Sequence, residues 1–308
     1  MNLIHVISLF ALPVSRPGFV SWYIWRVQKM TARALQWIGI LITLGLLAAC
    51  GQGASQLVEL PSQSIPLGEA QQVILQIDSG EINISQSSGT SLELGVALTS
   101  PDSLDFRVEQ QANEVRVIAV YKREWLDSST DKVQFTIRVP QGRRLKIETY
   151  DAVINLTDYN GDVDVSAVAG QITASRLTGL ISLKSNRGEI SLSESSGELY
   201  VLGNYGLLSL ENVRGRVSAA SIMGTIRFMG LVGEGDEVRL ETDHSGIDIR
   251  LSPKSDLEMQ IRSTSGNLAC MLPGLSTTPR SCDGVVGAGG GQLWVRTVSG
   301  DVTLQQSP

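Results

Sequence analysis

The chain has 308 residues, of which 42% are hydrophobic, 5% aromatic and 18% charged, and its formal net charge is −6. All 31 acidic residues but only 21 of the 25 basic ones lie beyond residue 49, so that part carries a net charge of −10 and has no Lys/Arg-rich run. We therefore expect no nucleic-acid partner, because phosphate neutralisation needs a basic surface. The 31 glycines favour short strands joined by tight turns.

Residues 1–49 have the features of a leader. They contain four basic and no acidic side chains, followed by the uncharged run ALQWIGILITLGLL and then Ala48, Ala49 and Cys50. A basic flank, a short apolar core and small residues before a cut are typical of a secretory signal. The end of this segment, LAAC, resembles the lipobox of bacterial lipoproteins, which implies a diacylglycerol on the Cys50 thiol and cleavage just before it. The alternative is a plain transmembrane anchor, for which the run is short.

The leader is longer than a signal needs to be. Met30 opens a segment of ordinary signal length, so we expect translation to begin there and the functional signal to be 30–49. Residues 50–70 are polar, contain proline and show no periodicity, which predicts a flexible, lipid-anchored linker. The remaining residues, 71–308, are predicted to form one β-solenoid domain.

The domain begins with alternating apolar and polar residues. The stretch VILQIDSGEINIS alternates on both sides of Ser79–Gly80, which predicts a β-hairpin turning there. Similar strands follow, and no segment beyond the leader shows a 3.6-residue period. We therefore predict that residues 71–150 form the capping strands of an antiparallel β N-terminal cap.

Residues 151–232 contain a regular repeat. Glycine takes the φ > 0 position of a tight turn without a Cβ penalty. The residues two and four positions after each repeat glycine are apolar, so each unit has an apolar face that only stacking can bury. Two units per coil predict an all-β, right-handed parallel β-helix or solenoid with nine-residue half-coils, about 18 residues per coil. The repeat glycines are Gly161, Gly170, Gly179, Gly188, Gly197, Gly206, Gly215 and Gly224.

Residues 233–308 are predicted to hold irregular repeats and a C-terminal cap. Cys270 and Cys282 enclose eleven residues, and an exported protein meets oxidising conditions, so we predict a disulfide worth about 3 kcal/mol. Two unbonded thiols are the alternative, and a pair without histidine neighbours makes a poor zinc site. Because a solenoid end is an open sheet edge, we expect this loop and Trp294 to cover it.

Two asparagines in the repeat, Asn186 and Asn204, are 18 positions apart. In a stack of 18-residue coils they would be neighbours, and their side chains could form a short amide ladder of the kind seen between stacked strands. The alternative is two ordinary turn asparagines.

The segment VPQGRRLKIETYDAVINLTDYNGDVDVSAVAGQITA, together with the repeat that follows, resembles a bacterial envelope family called putative adhesins, or DUF4097-like proteins. The resemblance covers roughly residues 70–306. It implies a β-solenoid built from G-D-I/V-x-V units and an envelope protein that binds other surfaces. The sequence departs from the family pattern where Asp or Glu often follows the glycine, so no acidic ladder is expected. These departures are Gln171, Leu180, Leu207, Arg216 and Thr225.

Three kinds of chemistry are not favoured by the sequence. A calcium-binding nonapeptide needs a repeated carboxylate, and no position after the glycines keeps one. A polysaccharide lyase or hydrolase needs long loops around clustered carboxylates, and nine-residue spacing leaves no room for them. His244 is the only histidine beyond the leader, its neighbour Asp243 points to the other face of a strand, and no G-x-S-x-G motif occurs. We expect no metal, no cofactor and no catalysis.

The sequence therefore predicts a lipoprotein held on the membrane by Cys50 and facing outside the cytoplasm, either extracellular or periplasmic. Its solenoid would act as a non-enzymatic adhesion, surface-structure or binding module. Its partner would be the membrane through the lipid and a surface glycan or an envelope protein. The alternatives are an accessory sensor in envelope-stress signalling and, third, a carbohydrate-active enzyme.

Overall fold

The computed structural model describes residues 57–122 and 132–307, so the leader, Cys50 and Trp125 lie outside the described residues. Apart from a 3-10 turn at Pro101–Ser103, every regular element of the described ranges is a β-strand. Within those ranges no helix is long and apolar enough to cross a membrane.

The centre of the fold is a stack of parallel strands in 18-residue register. Leu145 pairs with Val163, and Ile190 pairs with Leu208. This register confirms the predicted all-β solenoid made of nine-residue half-coils. The strands in this register are β8 (Arg144–Asn160), β9 (Val163–Arg187), β10 (Ile190–Ser193), β11 (Ser196–Tyr205), β12 (Leu208–Glu211), β13 (Arg214–Ser221) and β14 (Ile226–Gly230). β15 (Glu237–Thr242) and β16 (Ile247–Leu251) continue the stack with a 21-residue offset.

The repeated apolar pairs fill the interior of this stack. All sixteen side chains that lie two and four positions after the repeat glycines, from Val163 to Phe228, are at most 2% exposed. Burying one such side chain contributes about 1.5–3 kcal/mol. A coil can bury them only against the coils above and below it, so the repeat is cohesive as a stack and not as single units.

Glycine occupies the corners of the coils, and at two corners a serine or threonine side chain accepts a hydrogen bond from the glycine backbone N–H. Seven of the eight repeat glycines have φ between +96° and +154°, and Gly224 is the exception. A buried hydroxyl three positions before the corner glycine bonds to its backbone: Ser221 Oγ accepts from Gly224 N at 2.7 Å, and Thr297 Oγ1 accepts from Gly300 N at 2.9 Å. The motif Ser/Thr-x-x-Gly therefore closes the turn at these two corners.

The N-terminal end of the stack has a strand order that the sequence does not predict. The predicted hairpin at Ser79–Gly80 is wrong, because both residues lie within one long strand, β3 (Gln72–Ser87). Both halves of this strand pair in parallel with β8, since Gly80, with φ +125°, forms a coil corner and not a hairpin turn. β3 lies between β8 on one side and β6 and β7 on the other, and antiparallel β4 and β5 cover the edge. These strands are β3 (Gln72–Ser87), β4 (Ser91–Leu98), β5 (Leu104–Gln110), β6 (Glu114–Tyr121) and β7 (Val133–Pro140).

The predicted flexible linker, 50–70, is structured over its described part. Strands β1 (Val58–Glu59) and β2 (Gln63–Pro66) pair antiparallel with β4, and Leu67 is only 1% exposed. The physical reason is that the exposed edge of β4 needs backbone partners, and these two short strands supply them.

At the C-terminal end the last strands do not end the stack. β21 (Gly291–Thr297) lies between β15 and β17 (Leu257–Ser263). Trp294 is therefore a half-buried residue on the side of the stack, and it does not cover the end as expected. The edge is covered by β20, which runs antiparallel to β17, and by β19, which runs antiparallel to β20. The strands are β17 (Leu257–Ser263), β18 (Leu268–Cys270), β19 (Ser276–Thr278), β20 (Ser281–Val286), β21 (Gly291–Thr297) and β22 (Val302–Gln306).

Candidate functional site

The stacked strands form a wall with two outward faces that differ in their side-chain chemistry. We call them the aromatic face and the polar face. The polar face carries mainly serine, threonine and charged side chains, and its segments are 153–157, 171–175, 189–193, 207–211 and 225–229. The aromatic face contains Tyr200 and Trp294, and its segments are 144–148, 162–166, 180–184, 198–202, 216–220, 237–241 and 292–296.

Exposed apolar side chains occur along the aromatic face and its adjoining corner, where Tyr150 and Val168 on two coils precede a denser group on the next three coils. Exposed large apolar residues are rare on the polar face, where Val153 is the only one among the described residues of its segments. Patches of this kind mark interaction surfaces more often than scattered exposed residues do. We call this set the apolar belt; it consists of Leu180, Tyr200, Leu202, Tyr205, Ile222 and Met223, each between 36% and 53% exposed.

Most charges on the aromatic face are paired along or across strands. Lys146 Nζ lies 2.6 Å from Glu148 Oε1, and this bond lowers the pKa of Glu148. Arg216 Nε lies 3.1 Å from Glu237 Oε2, and this bond raises the pKa of Arg216. Arg239 lies over the indole of Trp294 at 4.2 Å from the ring centroid, which covers one face of that ring.

One region of the same face leaves several of its polar side chains without a hydrogen-bond partner among the described residues. A depression of about 210 Å³ is lined by Arg144, Asp162, Val163, Asp164, Leu180, Ser182 and Tyr200. The side chains of Arg144, Asp162 and Ser182 make no hydrogen bond or ion pair with any described residue. Asp164 has only Lys184 near it, with Nζ 3.7 Å from Oδ1, beyond hydrogen-bond distance. An aromatic ring, an apolar side chain and unpaired donors and acceptors therefore share one recess.

Two larger recesses lie near the N-terminal end. One of about 580 Å³ lies between residues 59–62 and the edges of β4 and β7. One of about 420 Å³ is bordered by Tyr121, Lys132 and Asp151. Neither brings an exposed aromatic ring together with unpaired charged groups, so the depression beside Tyr200 is the best-defined candidate binding site.

The corner next to the belt carries the amide ladder and the histidine. Asn204 Nδ2 donates to Asn186 Oδ1 at 2.7 Å, so the ladder interpretation is correct for this pair. His244 Nδ1 lies 3.1 Å from Ser299 Oγ, while its Nε2 has no hydrogen-bond partner among the described residues. Without a carboxylate to orient the ring, this pair lacks the third member of a nucleophilic triad.

Two carboxylates hold the irregular C-terminal coils together. Asp236 is 4% exposed and accepts from Arg214 Nε at 2.7 Å, Gly215 N at 2.8 Å and Gly233 N at 2.9 Å. Asp256 Oδ1 accepts from the backbone N–H groups of 288–290 at 2.6, 2.6 and 3.2 Å. These backbone bonds lower the pKa of Asp256. Both carboxylates are used internally, so we assign them a structural role.

The residues singled out in the sequence fall into three groups. Cys50, the predicted lipid site, lies outside the described residues. Cys270 and Cys282 are joined by a disulfide with a Cα–Cα distance of 6.7 Å, next to the covered end. The eight repeat glycines form two columns along the corners and touch no recess of the aromatic face. Among the residues that the structure describes, no group of three His, Cys, Asp or Glu side chains could hold a metal ion.

Sequence reasoning missed the apolar belt and the depression. The signal that was available is the residue type at outward positions: Leu180, Tyr200 and Leu202 stand where most coils have a polar residue. The Ser/Thr-x-x-Gly corner motif was also present in the sequence at 221–224 and 297–300. Neither signal breaks the nine-residue period, so a search for period alone does not find them.

The geometry defines a capped β-solenoid whose distinguishing chemistry lies on an outward face. The family model described as Toastrack DUF4097 matches residues 74–305, which is 232 of the 308 residues. The chain therefore belongs to the Toastrack DUF4097 family. A comparison with curated proteins gave no match.

Solved structures of low sequence identity resemble parts of the chain. A "putative adhesin" from Parabacteroides distasonis is 11% identical, with 83% of this chain and 98% of that chain covered and a TM-score of 0.40. A "putative adhesin" from Bacteroides fragilis is 12% identical, with 80% and 97% covered and a TM-score of 0.39. A "putative cell adhesion protein" from Clostridium sporogenes is 11% identical, with 82% and 100% covered and a TM-score of 0.34.

Proposed function

We propose that this protein is a lipid-anchored, extracytoplasmic binding module that uses the aromatic face of its solenoid and performs no catalysis. The observation that carries the proposal is the apolar belt. Six exposed apolar side chains lie on three neighbouring coils, on a wall whose opposite outward face is almost free of them. Exposing such a surface to water is unfavourable, which supports a role in contact with a partner.

The rigidity of the wall supports binding and not chemistry. The coils follow one another at 18-residue spacing from β8 to β14, without a loop long enough to enclose a substrate. A preformed surface loses little conformational entropy when it binds, which favours recognition of a partner by shape and surface chemistry. Within the described residues, the only histidine lacks an orienting carboxylate, which supports a non-enzymatic role.

The proposed anchor is the diacylglycerol on Cys50. Two or three acyl chains hold a protein firmly on a membrane, because each buried CH₂ contributes about 0.8 kcal/mol. Cells expressing the protein are labelled with radioactive palmitate. We expect the label on the wild-type chain and none on Cys50→Ala; label that persists in Cys50→Ala would contradict the anchor.

The binding role is tested by sedimentation with envelope fragments from cells that express the protein. The mature lipidated chain is held in lipid nanodiscs, and empty nanodiscs give the background. The belt variant combines Leu202→Ser, Tyr205→Ser and Met223→Ser, and the matched control combines Thr173→Ala, Ser191→Ala and Ser209→Ala on the polar face. We expect the belt variant to bind at least about tenfold more weakly, because a few central apolar residues dominate interfaces.

The control should bind within about twofold of the wild type, because peripheral polar contacts contribute little. Equal losses in the two variants would show that the belt is not the binding surface. Binding of the belt variant at wild-type strength would also contradict the proposal. Treating the fragments with protease or with periodate before the assay tells a protein partner from a glycan.

A further inference from the structure

We propose that the depression beside Tyr200 is a binding site for one uncharged sugar unit of a glycan. This inference deepens the proposed binding role and rests on it, since it names the ligand class and the site. The first observation is size: about 210 Å³ corresponds to the volume of about seven water molecules. That is room for one ring-sized group, and it is too small for the drug-sized ligands that fill larger pockets.

The second observation is the presence of an exposed aromatic ring at one end of the recess. Tyr200 is 40% exposed, and Leu180 beside it is 36% exposed. A pyranose has one face made mainly of C–H groups, which packs on an aromatic ring, while its hydroxyls point outward around the ring edge. Tyr200 and Leu180 therefore offer a surface for the apolar face of a sugar.

The third observation is the set of unpaired polar groups around that ring. The carboxylate of Asp164 accepts no hydrogen bond from any described residue. Oδ1 of Asp164 is buried, but the side chain as a whole is 40% exposed. The solvent-exposed part is therefore the rest of the side chain, including Oδ2. Arg144 supplies unpaired donors, and Asp162 supplies further acceptors. Acceptors together with donors suit hydroxyl groups, each of which can donate and accept.

The fourth observation is the charge of the recess. The lining residues Arg144, Asp162 and Asp164 carry formal charges that sum to −1, and Lys184, which does not line the recess, forms an ion pair with Asp164 at 3.7 Å. Elsewhere on this face the charged groups are paired directly, as in Lys146–Glu148. In the recess, Arg144 and Asp162 have no such direct partner, so the hydroxyls of a neutral ligand can hydrogen-bond to them without adding charge. A uronic acid would bring a third carboxylate next to two existing ones.

The test is saturation-transfer NMR on the mature lipidated chain in nanodiscs. The probes are the methyl glycosides of glucose, galactose, mannose and N-acetylglucosamine, with a methyl glucuronide as the charged comparison. We expect transfer to the ring C–H protons of at least one neutral glycoside, and weaker transfer to the glucuronide. Tyr200→Ala should weaken binding about tenfold, and Tyr200→Phe should keep it, because the ring provides the contact. Asp164→Asn should weaken binding several-fold.

Tyr150→Ala is the matched control, because Tyr150 is an exposed tyrosine outside both the depression and the apolar belt. It should leave glycoside binding unchanged. The inference is wrong if no neutral glycoside receives saturation, if Tyr200→Ala binds as the wild type does, or if Tyr150→Ala loses as much binding as Tyr200→Ala. If the protein binds a glycoside but does not sediment with envelope fragments, the proposed function is wrong and this inference stands. If it sediments with envelope fragments but binds no glycoside, this inference is wrong and the proposed function stands.

Discussion

The packing of one coil on the next can be tested at Gly179. This glycine has φ +136°, and a Cβ at this position would lie 2.6 Å from the carbonyl oxygen of Gly161 in the preceding coil. A strained backbone conformation costs about 1–3 kcal/mol, and overpacking against neighbouring atoms costs about as much again. Gly179→Ala should therefore lower the free energy of unfolding by about 3 kcal/mol.

Two other glycines separate the two causes. Gly142 has φ +73° but open space around its Cβ direction, so Gly142→Ala should show the backbone strain alone, about 1–2 kcal/mol. Gly95 has an ordinary φ and its nearest neighbour would be 3.8 Å away, so Gly95→Ala should be neutral or slightly stabilising.

The measurement is urea unfolding of the full chain, followed by far-UV circular dichroism, with the midpoints compared at equal slope. The reasoning requires the order Gly179→Ala, then Gly142→Ala, then Gly95→Ala, from most to least destabilised. If Gly179→Ala loses no more than Gly142→Ala, the coils do not approach as closely as the structure shows, and the explanation of the glycine repeat fails.

Three further predictions concern the C-terminal coils. Asp256→Ala should lower Tm at pH 7, because the hydrogen bonds to residues 288–290 need the ionised carboxylate. The difference in Tm between the wild type and the variant should disappear as the pH falls below about 3.9 and through the lowered pKa of Asp256, and Tm measured across this pH range checks the prediction. Asp236→Ala should cost about 2–4 kcal/mol in urea unfolding, because a buried acceptor of three bonds is lost; a loss below 1 kcal/mol would contradict it. Replacing Cys270 and Cys282 by serine should cost about 3 kcal/mol, and a serine variant as stable as the reduced wild type is the required control.

The interior of the wall could be predicted from the sequence because it is a local property. A glycine every nine residues with two apolar side chains after it specifies a corner and a buried strand, and Val163, Ile172 and Ile181 all lie inside as predicted. The predicted 18-residue coil follows from the same pattern, since two half-coils return the chain to the same column.

The strand order at both ends could not be predicted, because it is a long-range property. Alternation around Gly80 fits a hairpin and a coil corner equally well, and only the pairing of β3 with β8, 72 positions away, decides between them. The same holds for β21, which lies between β15 and β17 although 48 residues of chain (243–290) separate it from β15. The repeat period shows which residues face inward, but it does not show which coils lie next to each other.

The candidate site was missed for a different reason. Apolar side chains at outward positions do not disturb the repeat, so Tyr200 and Leu202 look like tolerated variations of the pattern. Their meaning comes from adjacency, because coils stacked about 4.8 Å apart bring residues 18 positions apart into contact. The apolar belt can be recognised only when the coils are aligned so that residues 18 positions apart stand in one column.

The most direct test of the account is residue-specific photo-cross-linking in intact cells. A benzoylphenylalanine is placed singly at Tyr205 or Met223 in the belt, and at Ser191 or Ser209 on the polar face. The account predicts cross-links to envelope components from the two belt positions and none above background from the two serine positions. Cross-links mainly from the serine positions, or none from the belt in cells where the chain reaches the envelope, would contradict the claim that the aromatic face is the binding surface.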